Sequence, residues 1–506
     1  MIDPLFDWSG EKRSAGMLLH PTSLPNQYGI GNFGASARSF VDVLVQSALK
    51  YWQVLPLSPT GYGDSPYQSY SSYALNPYLL DWDQLIDLGW IKSSELKNLL
   101  NADVAEVNFD LLRAQHGPIR KSALLSGLEN GCFGDQFTEF KKANAHWLQD
   151  YALFMVLKAQ NRGLPWIKWK KPHRDYESAQ TVLKESVELQ KEADLIAFEQ
   201  FILNSQWTSL KEYANSCSIQ IIGDIPIYVS FDSVDVWANR SVFQLSKTGS
   251  PTKLAGVPPD YFNEDGQFWG NPLYNWKYLK ETGFKWWVDR LRHTLLLFNI
   301  VRFDHFRALA AYWSIPAKAK SAREGQWIKG PNLEFFTQLK KQIPSAKLII
   351  EDLGEITADV IQLKTKTGFP GLAVLQFAFG GGSDNFYLPH NVSPNTVIYT
   401  GTHDNDTSQG WYNNADEKTR DHLRRYLQIA GNDVPWDLIR AAYRSTAGIC
   451  VVPAQDVLAL GSEARMNVPG IATGNWRWRM NHNQLFHLGK TSSEYLRYLA
   501  TLYGRI

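Results

Sequence analysis

The chain has 506 residues, enough for one large barrel or for about three average domains. Lys plus Arg number 51 and Asp plus Glu 50, and this near-zero net charge of +1 excludes partners recognised through clustered basic charge, so no nucleic acid and no membrane surface is expected. With 44% hydrophobic and 20% charged residues the composition is that of an ordered globular protein, and three cysteines (Cys132, Cys217, Cys450) exclude a disulfide framework.

Residues 1–13 carry Asp3, Asp7 and Glu11 without an apolar stretch, so no secretory signal is expected there. No window approaches the roughly 18 apolar residues of a spanning helix, and a cytoplasmic protein is the expectation. Eight short apolar runs rich in β-branched residues then follow, at 15–20, 51–57, 219–227, 300–303, 347–351, 372–379, 396–400 and 449–458. Most are continuously apolar and do not alternate, as parallel strands covered on both faces require. Helical periodicity lies between them, for example at 35–48, 286–297 and 332–342. The expected fold is α/β, a (β/α)8 TIM barrel with large, mainly helical insertions. One catalytic barrel domain would span 1–506. The uneven spacing predicts insertions at 81–215 (mainly helical, after the second strand), 230–298 (loop-rich, after the third) and 405–447 (helical, after the seventh).

In a barrel of this kind the reactive groups sit at the C-terminal ends of the strands. The fourth run ends Arg302-Phe303-Asp304-His305-Phe306-Arg307, and residues two apart share a strand face, so Arg302 and Asp304 point the same way. The fifth ends Glu351-Asp352-Leu353-Gly354, the seventh Gly401-Thr402-His403-Asp404-Asn405-Asp406, the third contains Asp224, and the first ends in His20. Several carboxylates gathered at one end of a barrel repel one another and are costly to bury. Acid–base and nucleophilic carboxylate chemistry requires that arrangement. Arg302 would keep Asp304 ionised as a nucleophile, and the apolar run before Glu351 would raise its pKa and suit it to the acid. Taken singly, each His reads as structural and Asp352 as a helix cap. A metal site is not expected, because neither a His-x-His pair in the first strand nor a His-x-x-x-His helix is present.

Two loops add a hint about the ligand. Residues 56–70, after the second strand, are too Pro-rich and Gly-poor for a phosphate cradle, and their rings, amides and hydroxyls suit a neutral polyhydroxylated ligand. Residues 254–272 carry Tyr261, Phe262 and Trp269 between Gly and Pro residues, as a water-excluding lid or a packed loop would.

Laid out in order, these segments resemble the 4-α-glucanotransferases, the amylomaltase or disproportionating enzymes of glycoside hydrolase family 77. The resemblance runs from Leu19-His20-Pro21-Thr22-Ser23 to Gly474-Asn475-Trp476-Arg477-Trp478-Arg479, and the loop at 258–272 separates this family from the amylases, which share the Asp/Glu/Asp order. It implies Asp304 as nucleophile, Glu351 as acid and then base, and Asp404 as the third carboxylate. It also implies that Arg302, His305 and His403 orient the reacting sugar, that Asp224 supports the site, and that Tyr67, Tyr261, Trp269 and Asn475 line the glucan groove or its lid. The implied partners are an α-1,4-glucan or maltooligosaccharide as donor and another as acceptor, with no cofactor and no metal. A retaining hydrolase, with water as acceptor, is the alternative.

Overall fold

The eight apolar runs fold as strands because their side chains find cover on both faces: every residue of Ser14–Leu18 and of Ile449–Pro453 is buried. In the computed structural model, which describes residues 4–8, 10, 12–97, 99, 105–131, 133–259, 264–354 and 356–506, twelve strands are formed. In chain order they are β1 (Ser14–Leu18), β2 (Tyr51–Gln53), β3 (Gln220–Ile225), β4 (Lys253–Val257), β5 (Gln267–Pro272), β6 (Ile300–Phe303), β7 (Ala311–Pro316), β8 (Gln326–Lys329), β9 (Leu348–Ile350), β10 (Gly371–Val374), β11 (Thr396–Tyr399) and β12 (Ile449–Pro453). Eight of these make one parallel sheet in the order β10-β11-β12-β1-β2-β3-β6-β9, a (β/α)8 barrel whose strands coincide with the eight runs. The strands are shorter than the runs. Val54, Leu55 and Leu57 stay buried beyond β2, since burying an apolar side chain does not require its backbone to remain in a ladder.

Between β2 and β3 lie the helices Phe109–Asn130, Gly134–Ala143, Leu148–Gln160, Tyr176–Glu185 and Val187–Ser216. Ser186 separates the last two of these, its hydroxyl accepting the Leu189 amide and starting a new helix. Val187–Ser216 also steadies the loop after β2. The buried Gln200 amide accepts from Leu75 N at 2.7 Å and donates to Leu75 O at 3.0 Å. Gln206 grips Asp81 N and O in the same two-sided way, at 2.9 and 3.2 Å.

A second sheet was not anticipated. Strands β5-β4-β7-β8 form an antiparallel sheet beside the barrel, so the segment read as loop-rich carries a β-hairpin. The side-sheet strands are short, and the pairing that joins its two halves is distant in sequence: β4 pairs with β7 through Leu254↔Ile315, while β7 meets β8 across a short loop through Trp313↔Trp327. Tyr261 and Phe262, expected in the lid, lie outside the described residues. Among the described residues no helix is long and apolar enough to cross a membrane, and Cys217 and Cys450 are free.

Candidate active site

The C-terminal ends of the barrel strands open onto a cavity of about 560 Å³, lined among others by Tyr67, Trp269, Asp304, Glu351, Asp404 and Trp476. Its floor is built on β6. Arg302 projects inward with a side chain only 3% exposed and gathers three carboxylates. Arg302 Nη1 donates to Asp224 Oδ2 at 2.6 Å, while Nη2 lies 3.2 Å from Asp304 Oδ1 and 3.5 Å from Glu351 Oε2. Tyr67, from the loop after β2, donates its hydroxyl to the same Asp224 oxygen at 2.9 Å. The alternation of side chains along β6 thus does what a strand face must: Arg302 and Asp304, two residues apart, meet the same space.

Backbone geometry turns the chain sharply just after Asp304. His305 adopts φ 46°, the left-handed region, and its amide donates to Glu351 Oε2 at 2.6 Å. Beyond β11, His403 Nε2 lies 3.4 Å from Asp404 Oδ2, and the His403 ring stacks on Tyr67 with centroids 5.2 Å apart. Asp404 is the most open of the group, at 44% exposure against 23% for Asp304 and 16% for Glu351.

Burial sets the protonation states. It pushes the Asp304 and Glu351 carboxyls upward; Arg302 opposes the rise in both but does not keep Asp304 in the ordinary carboxylate range as expected, because burial, repulsion from Glu351 and Asp404 and a hydrogen bond with Glu351 bring Asp304 to about 7. Two close carboxylates facing one guanidinium titrate as a pair and hold a shared proton above the ordinary carboxylate range. Glu351 is therefore not simply an acid among apolar side chains: the His305 amide and Arg302 favour its ionised form while burial disfavours it. Burial also keeps the histidines neutral, lowering His403 and bringing both His20 and His305 to about 3. His20 is buried next to His403 and does not line the cavity.

The outer wall is aromatic. Trp269, from β5, meets the His305 ring edge to face at 4.9 Å and donates its indole N–H to Gln267. Asn475 lines the cavity, yet its amide is engaged by its own loop, accepting from Val468 N and donating to Ile471 O at 2.8 Å. Sequence reasoning assigned no role to four further residues. Asn467 donates to Asp404 Oδ1 at 2.6 Å, and Arg465 donates to the Asp404 carbonyl at 2.8 Å. Both come from a segment more than sixty positions away, and no local pattern marks them. Trp327, from β8, also lines the cavity, with the Arg307 guanidinium 3.8 Å over its ring. Arg307 belongs to the β6 strand-end motif, so it was visible; its partner became visible only with the side sheet.

Comparison with known proteins agrees with this geometry. Residues 19–484 match the glycoside hydrolase 77 family model, described as 4-alpha-glucanotransferase. A 4-alpha-glucanotransferase of Thermus thermophilus is 46% identical over 484 residues, covering 94% of this chain and 96% of that protein. A chloroplastic/amyloplastic 4-alpha-glucanotransferase of Arabidopsis thaliana is 42% identical, over 98% of this chain and 86% of its own. Among solved structures, an amylomaltase from Streptococcus agalactiae in complex with acarbose superposes with a TM-score of 0.93 at 35% identity, covering 98% of this chain and 100% of that one.

Proposed function

Because this chain belongs to the 4-alpha-glucanotransferase family and is a glucanotransferase enzyme, we propose that it transfers glucanosyl units by double displacement through a covalent glycosyl–Asp304 intermediate. One observation carries this reading: a single nitrogen, Arg302 Nη2, reaches both Asp304 and Glu351, at 3.2 and 3.5 Å. The two carboxyls also hydrogen-bond each other directly, so they fall on the short side of the spacings that distinguish retaining sites (about 5–5.5 Å) from inverting ones (about 6.5–9.5 Å), which leave room for a water. Their shared proton supplies one carboxylate and one acid at neutral pH.

In the first half-reaction the Asp304 carboxylate attacks the anomeric carbon of an α-1,4-linked donor. The C1–O4 bond breaks, and Glu351 gives its proton to the departing oxygen. In the second, the 4-OH of another glucan or of glucose attacks the same carbon, Glu351 takes the hydroxyl proton, and the bond to Asp304 breaks. Two inversions restore the α configuration. Asp404, held by Asn467, stands where it can bind the sugar at the cleavage point and distort its ring. Arg302, with Asp224 and Tyr67 behind it, fixes the nucleophile. His305, His403 and Trp269 orient the glucose, and Asn475 shapes the groove through its loop. Tyr261 and Phe262, between β4 and β5 in sequence, are assigned to a lid that favours a sugar hydroxyl over water. The balanced net charge of +1 suits an uncharged substrate.

Incubated with maltotriose, the protein should produce glucose together with oligosaccharides longer than maltotriose. Glucose and maltose alone, with reducing ends rising, would show that water is the acceptor and end the transfer reading. Asp304→Asn should lower the rate by a factor on the order of 10⁴ while glucan binding persists; an active variant refutes the nucleophile assignment.

A further inference from the structure

The parallel sheet runs from β10 round to β9, and no ladder joins those two strands among the described residues. A backbone bond, Ile350 N to Pro370 O at 2.9 Å, crosses this seam. Glu351 is the next residue. Its own backbone is tied only toward β6: its amide donates to Phe303 O and its carbonyl accepts from Phe306 N, both at 3.0 Å. Toward β10 the work passes to the side chain of Asp352, only 6% exposed. Asp352 Oδ1 accepts the Leu372 amide of β10 at 2.7 Å, and Oδ2 accepts Lys364 Nζ, from the helix Ala358–Thr367, at 2.6 Å. Asp352 thus replaces the missing ladder, and it is not the helix cap its sequence position suggested.

Gly371 makes room for this. A Cβ at that position would lie 2.5 Å from both Asp352 carboxylate oxygens and 2.2 Å from Lys364 Nζ. Its φ is not in the left-handed region, so the space, and not the backbone, demands a glycine. A separate cavity of about 1140 Å³, lined in part by Asp352, Lys364 and Pro370, abuts the seam. If the ion pair were lost, that cavity would give water a route toward the residue before Asp352.

We infer that Asp352, Lys364 and Gly371 form a clasp across the β9–β10 seam that positions Glu351 for proton transfer. The inference rests on Glu351 being the acid and base of the proposed function. None of the three touches the substrate cavity, so each is a positioning residue. The clasp acts on one half of the chemistry: it fixes the proton donor and leaves Asp304, held from the β6 side by Arg302, in place.

Two donors separate these effects. Maltotriose needs a proton on its leaving oxygen; α-maltosyl fluoride loses fluoride with little acid assistance, so its first-turnover fluoride release reports the nucleophile alone. Asp352→Ala, Lys364→Met and Gly371→Ala should each lower kcat on maltotriose by about 10- to 100-fold, the cost of a small misplacement of a reacting group. The KM for maltotriose and the fluoride burst should stay within about twofold. Asp352→Asn, which keeps an acceptor for the Leu372 amide, serves where Asp352→Ala does not fold. Maltotriose kcat within twofold of the parent in these variants overturns the clasp, and so does an equal fall with both donors. Glu351→Gln is the reference: it should show the same split. If Glu351→Gln spares maltotriose, the acid assignment fails; if it splits the donors and the clasp variants do not, the clasp alone fails.

Discussion

Arg302 carries the electrostatic burden of the site. With a side chain 3% exposed it faces Asp224, which has none of its side chain exposed, as well as Asp304 and Glu351. Burying so many charges is tolerable only because each has a partner or a shared proton. The pH dependence follows. On the proposed assignment of Asp304 as nucleophile and Glu351 as acid, the pair should take a second proton below the lower limb of a bell-shaped kcat/KM profile and lose the nucleophile, and give up the shared proton above the upper limb and lose the acid. Asp404 raises both Asp304 and Glu351 through repulsion. Removing its charge lets the shared proton leave more easily, so the residual activity of Asp404→Asn should have its upper limb displaced to lower pH; an unmoved or raised limb contradicts the coupling. Much of this residue scale was legible in advance, since Arg302, Asp304, Glu351 and His403–Asp404 stand at strand ends, and the structure places Asp304, Glu351, His403 and Asp404 round one cavity with Arg302 buried beside them. Asn467 was not, because its role is set by where a distant loop lands and not by its neighbours in sequence.

At the scale of elements, the barrel strands were readable because parallel strands buried on both faces leave continuous apolar runs. The side sheet hid from the same reading. β8, Gln326-Trp327-Ile328-Lys329, is four residues long, does not alternate and is mostly exposed, and its strand partner β7 is identified only by pairing across a loop. That sheet delivers Trp327 to the cavity with Arg307 packed on its ring at 3.8 Å, a flat apolar face beside a charged group, as sugar stacking uses. Trp327→Ala should raise KM for maltoheptaose about tenfold, near 1.4 kcal/mol of binding, with kcat little altered, because a remote stacking contact serves ground and transition states alike. Steady-state kinetics with maltotriose and maltoheptaose check this; equal effects on the two lengths would show that the ring meets the reacting sugar itself.

Across the whole molecule, the insertion between β2 and β3 serves the barrel more than it decorates it. Gln200 and Gln206 reach across 125 positions of sequence to hold Leu75 and Asp81 by their main-chain atoms. Because they grip N–H and C=O groups, this hold is blind to the side chains at 75 and 81, and those positions can vary without loosening it. It also imposes an order in time. A contact separated by so many residues closes late, since the entropy of joining the ends must be met before the bonds reward it. The loop after β2, which bears Tyr67, precedes Val187–Ser216 in the chain, so its final shape is expected only once that helix has docked. In refolding from denaturant, transferase activity should therefore return after the far-ultraviolet signal of the helices. Simultaneous recovery would mean that the loop after β2 finds its form alone. On this view the amide pairs are a delay line, and catalytic competence is among the last properties the chain acquires.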